Sequence, residues 1–138
     1  MSIDVARLRG RASLLAALLM VPVPVAVGQD PVAVAESEAT TDAASAEGKT
    51  FSDVVGQAFG REHAVTIQQC AKSAKRRDLA NFDVLLRIDG SGVVDQALVT
   101  PATSLSICVQ GKLTGWKISV PPRAGFWAKV AVNLKGKS

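Results

Sequence analysis

The chain has 138 residues, 48% of them hydrophobic, with 16 Lys and Arg against 12 Asp and Glu for a formal net charge of +4 at pH 7. One histidine, no tyrosine and two cysteines leave little for an acid–base pair, a nucleophile with its base or a Cys/His metal site. No catalytic residue, no metal and no cofactor is therefore expected, and the length allows one small core.

Arg7, Arg9 and Arg11 precede the apolar run ASLLAALLMV, Ala12–Val21, which continues through PVPVAVG to Gly28. A basic stretch, an apolar stretch and small residues at a plausible cut predict a secretory signal peptide over residues 1–28, with Ala26 and Gly28 at the −3 and −1 positions. The alternative is an uncleaved inner-membrane anchor through residues 12–28 that leaves the domain in the periplasm. A spanning helix needs about 20 apolar residues, and Pro22 and Pro24 interrupt this run earlier, which favours cleavage and an exported, periplasmic product. No other apolar segment is long enough to cross a bilayer.

Residues 29–50, QDPVAVAESEATTDAASAEGKT, combine Ala, Ser, Thr and acids with no aromatic and no apolar period, the composition of a disordered acidic linker. That stretch holds five acids and one base, whereas residues 51–138 hold six acids and twelve bases, so the expected domain is distinctly basic. Thr50 and Asp53 resemble a capping box, and Phe51, Val54, Val55, Ala58 and Phe59 fall at helical spacing. Gly60 is expected to break or kink this helix. A second register, Ala64, Ile67, Cys70, Ala71 and Ala74, ends in the basic run KSAKRRD.

The stretch FDVLLRI alternates as a half-buried strand, with Phe82, Val84, Leu86 and Ile88 on one face. Asp89-Gly90-Ser91-Gly92 is a turn and VVDQALVT the returning strand of a hairpin. After Pro101, Thr103 or Ser104 can cap a helix carrying Leu105, Cys108, Val109, Leu113 and Trp116, ended by Gly115 and by Pro121-Pro122. In GFWAKVAVNLK, Phe126, Ala128, Val130, Val132 and Leu134 alternate inward, and Trp127, Lys129, Asn133 and Lys135 outward. The order helix-strand-strand-helix-strand predicts an α+β domain: a small three-stranded antiparallel sheet with two helices packed on one face. In an exported chain Cys70 and Cys108 read as a disulfide; each lies on one of the two helices, and Cys108 has no His, Lys or Arg within three positions to activate a free thiol.

The hairpin RIDGSGVVDQALV, a short helix, the tripeptide GWK and a proline before the last alternating strand together resemble the TonB C-terminal-domain family. The resemblance is closest to a cysteine-containing variant at the C-termini of AgmX-type gliding-motility and adventurous-motility proteins. It rests on Cys70, Gly90, Gly92, Val94, Cys108, Trp116 and Pro121 and spans roughly residues 60–135. Ile118 stands where the family usually has an aromatic, and Asn81 where it often has a glycine. The resemblance implies a protein partner in the bacterial envelope, taken up by strand addition to a sheet edge. The candidate edge is Phe126–Leu134, with Trp127, Lys129, Ala131 and Asn133 facing outward. Energy transduction of the TonB type also needs an anchor and a long spacer. The 22 residues of the expected linker would reach about 75 Å at full extension, so a shortened or freely exported binding module fits better.

Other readings compete with this one. His63 is expected at the surface or in a capping role near a helix start, and Asp83 and Asp89 do not face one another as a catalytic pair. The Gly90–Gly92 loop opens a strand, so it is no phosphate cradle. The basic cluster Lys72, Lys75, Arg76 and Arg77, three of them on one expected helical face, could dock a polyanion such as cell-wall polymer or an anionic lipid surface. Its plainer reading is a solvated helix end whose cations complement the helix dipole. Nucleic acid is not expected of an exported chain with so few aromatics. A purely structural envelope component stays open, and the oligomeric state is not specified.

Overall fold

Three seven-residue segments with β-branched and apolar alternation form one antiparallel sheet in the computed structural model, which describes residues 29–134. The elements are α1 (Pro31–Asp42), α2 (Ala46–Ser73), a 3-10 turn (Arg76–Asp78), β1 (Phe82–Ile88), β2 (Val94–Thr100), α3 (Ser104–Gln110) and β3 (Phe126–Val132). Strand β1 lies between its hairpin partner β2 and the last strand β3, in the order β2-β1-β3. From α2 onward the expected α+β order, helix-strand-strand-helix-strand, is the observed one. The expected signal segment, residues 1–28, lies outside the described residues, as does Lys135.

Asp89 shapes the hairpin turn. Its carboxylate accepts from the amides of Ser91 (2.9 Å) and Val93 (3.0 Å) and from the Ser91 hydroxyl (2.7 Å). These bonds, the hydroxyl's foremost, hold Asp89 below the usual carboxylate range. Gly92 follows at φ 92°, where a Cβ would stand 2.7 Å from the backbone of Ser119, so only glycine fits. The β1–β2 register shifts between Arg87 and Ile88: Arg87 opposes Gln96, Ile88 opposes Val94, and Asp95 is the bulged residue. The bulge puts Val94 on the same buried face as Ala97 and Val99.

The main core lies under α2 and α3, the two helices expected on one face. Val84, Leu86, Ile88 and Phe126 of the sheet meet Phe51, Val55 and Phe59 of α2 and Leu105 and Val109 of α3, all buried. Phe51 and Phe126 pack edge to face with centroids 5.0 Å apart. Burial of a side chain of this size contributes about 1.5–3 kcal/mol, so this layer dominates stability. Thr103 caps α3 in a capping box with Ser106, one of the two caps the sequence offered. The Cys70–Cys108 disulfide joins the two helices across a sequence separation of 38.

Several helical expectations are corrected. Helix α2 is a single 28-residue helix that passes Gly56 and Gly60 without interruption, because Phe51, Val55, Phe59, His63 and Cys70 share one buried stripe. It starts earlier than expected. Ser45, not Thr50, is its N-cap, and the Ser45 hydroxyl accepts from the Gly48 amide. Helix α3 stops at Gln110, and a series of turns carries the chain to Trp116, whose carbonyl accepts from the Val94 amide at 2.8 Å.

The stretch expected as a disordered linker is also helical. Asp30 caps α1 through the Val32 amide, and Pro31 occupies its first turn. Ala35 and Ala39 bury themselves against Leu85 and Trp127 on the second face of the sheet, with Val32 and Leu98 beside them. The stripe is made of alanines, which carry little hydrophobic signal in sequence but allow a helix to approach a sheet closely.

Candidate partner-binding edge

Both outer strands are edges of the sheet, but that of β2 is partly covered, since Val94 bonds to Gly115 and Trp116 and the Gln110 side chain donates to the Ala97 carbonyl; β3 is the more open edge. Its side chains alternate as expected: Phe126, Ala128, Val130 and Val132 join the main core, while Trp127 joins the α1 layer. Its backbone alternates as well. The Trp127 amide donates to Asp42 Oδ2 on α1 at 2.9 Å, so it points away from β1. In antiparallel pairing every second residue shares that direction. Lys129 and Ala131 therefore turn their amides and carbonyls to the open side, while Ala128 and Val130 pair with Leu86 and Val84.

Beside that edge runs a shallow groove of ≈ 410 Å³, bounded by Lys129, Val130 and Ala131 on the strand and by Ser52, Asp53, Gly56 and Gln57 on α2. A Cβ at Gly56 would meet nothing within 4 Å, so the helix leaves room where an added strand would lie. Sequence pattern gives a mid-helix glycine no such role; only its position opposite an open strand reveals one.

The four expected edge residues are not equivalent. Ala131 and Asn133 are exposed, and Lys129 is exposed while its ammonium bridges Glu36 (3.4 Å) and Asp83 (3.6 Å). Trp127 is corrected: it is only 8% exposed beneath α1, and its amide is already engaged. Asp42 closes this end of the edge. Besides holding the Trp127 amide, it takes two hydrogen bonds of 2.8 Å from the Arg123 guanidinium, which raise the Arg123 pKa. The open stretch is thus Lys129 to Ala131. Asp42 fell within the expected linker; the Asp30-Pro31 start and the Ala35–Ala39 spacing were the signals of a helix there.

The basic cluster occupies another part of the molecule. Lys72 lies in the last turn of α2, but Lys75, Arg76 and Arg77 follow the helix end at Ser73, so the single helical face expected for them is not formed. All four are exposed. Asp78 forms no salt bridge with them. Its carboxylate instead accepts from the Ser104 hydroxyl (2.6 Å) and amide (2.9 Å) at the start of α3, and these bonds depress its pKa, which Arg77 and Lys75 also help to lower.

His63 is a second correction. It sits in the middle of α2, 9% exposed, with its ring 4.4 Å from that of Trp116 and 5.2 Å from that of Phe59. Its Nε2 is buried without a hydrogen-bond partner. Burial lowers its pKa, and the neighbouring Glu62 carboxylate opposes that shift. Among the described residues no group of three His, Cys, Asp or Glu could hold a metal ion, and no helix is long and apolar enough to cross a membrane.

Comparison of the chain with protein-family models, with curated proteins and with solved structures finds no match.

Proposed function

We propose that the chain is an exported binding module of the TonB C-terminal type, which takes an extended segment of an envelope protein as a fourth strand beside β3. The observation that carries this reading is the open edge: the backbone groups of Lys129 and Ala131 face away from β1, next to a groove that Gly56 keeps clear. Unpaired backbone groups on a sheet edge are a template for a peptide strand, and flanking pockets set its side-chain preference. The resemblance in order and spacing supports the same reading. Cys70 and Cys108 are bonded, Gly92 holds the turn, and Trp116 packs on α2. The N-terminal segment supports export to the periplasm.

The test places a photo-crosslinking residue at Gln57, on the α2 side of the groove, and compares the parent strand with an Ala131→Pro variant in the native envelope. Recovery of one envelope protein, lost in the proline variant, is the expected result. Because the Ala131 amide points away from β1, proline there removes an edge donor and no β1–β3 hydrogen bond, so the sheet should survive. A partner captured equally well by the proline variant would refute strand addition at this edge.

A further inference from the structure

Four cations within six residues, Lys72, Lys75, Arg76 and Arg77, are exposed, and none forms a salt bridge among the described residues. Elsewhere Lys49, Arg61, Arg87, Arg123 and Lys129 each lie within reach of a carboxylate. The carboxylate closest in sequence, Asp78, is committed to Ser104, and the Lys75 amide donates to the Ser104 hydroxyl at 3.1 Å. The cluster is therefore held against α3 at the end of the domain where the disulfide also ties α2 to α3. Leu79, 44% exposed, comes three residues after Arg76. With Ala71, Ala80, Asn81 and Leu134 it lines a mostly apolar hollow of ≈ 700 Å³.

This end offers charge and apolar area, and little else. Several of its backbone donors are already used: the amides of Asp78, Leu79 and Ala80 donate to Lys75, Arg76 and Asp78, and that of Leu134 to the Asn81 side chain. A peptide strand would find no row of free amides here, which distinguishes the surface from the β3 edge. An interface with a charged headgroup plane over a hydrocarbon layer needs only what is present.

We propose that this end of the domain docks on an anionic lipid bilayer, with Lys72, Lys75, Arg76 and Arg77 against the headgroups and Leu79 and its hollow at the acyl boundary. Each cation near such a surface contributes about fivefold in partitioning. The hollow reaches the end of the last strand at Leu134, whereas the open backbone groups of Lys129 and Ala131 lie further along it, so a module bound to a membrane here keeps that part of its edge available.

The test uses the full chain and vesicles of phosphatidylglycerol with phosphatidylcholine, against phosphatidylcholine alone. Since residues 1–28 are basic and apolar in sequence and can add their own affinity, the primary readout is local: amine acetylation of each lysine with and without vesicles. Lys72 and Lys75 should be protected by the anionic vesicles while Lys112 and Lys117 are not. Arg76→Glu with Arg77→Glu should weaken partitioning by about 30-fold or more, and Leu79→Ser by about tenfold. A control with Arg61→Glu and Lys112→Glu carries the same net charge and should bind like the parent. Unprotected Lys72 and Lys75 would overturn the proposal, as would equal binding to neutral vesicles. So would competition by soluble polyglutamate that is indifferent to Leu79→Ser, because an acidic polymer would then be the ligand.

Discussion

At the scale of single residues, His63 and Gly92 show how burial and backbone decide side-chain identity. An unfolded histidine binds a proton near pH 6.5, whereas buried His63, between Phe59 and Trp116, binds one only at lower pH. Between those two values the unfolded chain holds more protons than the folded one. Stability is therefore constant in this respect above about pH 6.5 and falls as the pH drops below it, until the folded pKa is passed. The expected result is a melting temperature that declines from pH 7 to pH 5 in the parent and less in His63→Leu. As the chain has one histidine, its imidazole resonance reports this titration unambiguously; a midpoint at or above 6.5 would contradict the assignment. Gly92→Ala should cost about 2 kcal/mol or more, since the residue combines φ 92° with a Cβ pressed on the Ser119 backbone. A denaturant melt of the variant within 0.5 kcal/mol of the parent, on the scale of an ordinary surface change, would show that the turn relaxes freely.

At the scale of elements, α1 depends on a latch. Its packed surface is small, centred on Ala35 and Ala39, and its C-terminal end is fixed by Asp42 through Arg123 and the Trp127 amide. Asp42→Ala leaves that amide without its acceptor and leaves the guanidinium only Glu38 and the Ala124 carbonyl, and should cost about 2 kcal/mol. Hydrogen exchange of the α1 amides should then speed up by roughly 30-fold while Val84 and Leu86 stay protected. Unchanged α1 exchange would mean that the alanine stripe alone holds the helix. The same element explains what sequence reading could reach. The strands were legible because Phe82, Val84, Leu86 and Ile88 alternate with large apolar side chains, and α3 was legible from Thr103 and its leucine and valine stripe. Helix α1 was not, because two alanines carry its contact and the apolar surface they meet, Leu85 and Trp127, sits at positions that read as solvent-facing. For the same reason Trp127 looked like an edge residue. The open edge at Lys129 and Ala131 was anticipated, but its groove was not, as that depends on where α2 passes the strand.

At the scale of the whole molecule, one covalent link joins the two helices that cover the main face. The segment between Cys70 and Cys108 contains β1, β2 and most of α3, so the bond closes a loop of 38 residues around two of the three strands. In the chain-entropy account such a closure contributes about 4 kcal/mol by restricting the unfolded chain. That is a large share of the net stability of a domain of this size. The bond is one part of the main core, with Cys70 buried in it and Cys108 packed against it, while the larger apolar side chains of Val84, Leu86, Ile88, Leu105 and Phe126 supply most of its volume. Reduction, or Cys70→Ser with Cys108→Ser, should therefore lower the melting temperature by roughly 15–30 °C while the β-sheet signal persists at low temperature. The binding proposed at Lys129 and Ala131 should survive reduction below the new midpoint. Calorimetry with and without reductant measures the first expectation. A shift of only a few degrees would show that the reduced, unfolded chain already holds the two helices together, and that the bond is not the main constraint on this fold.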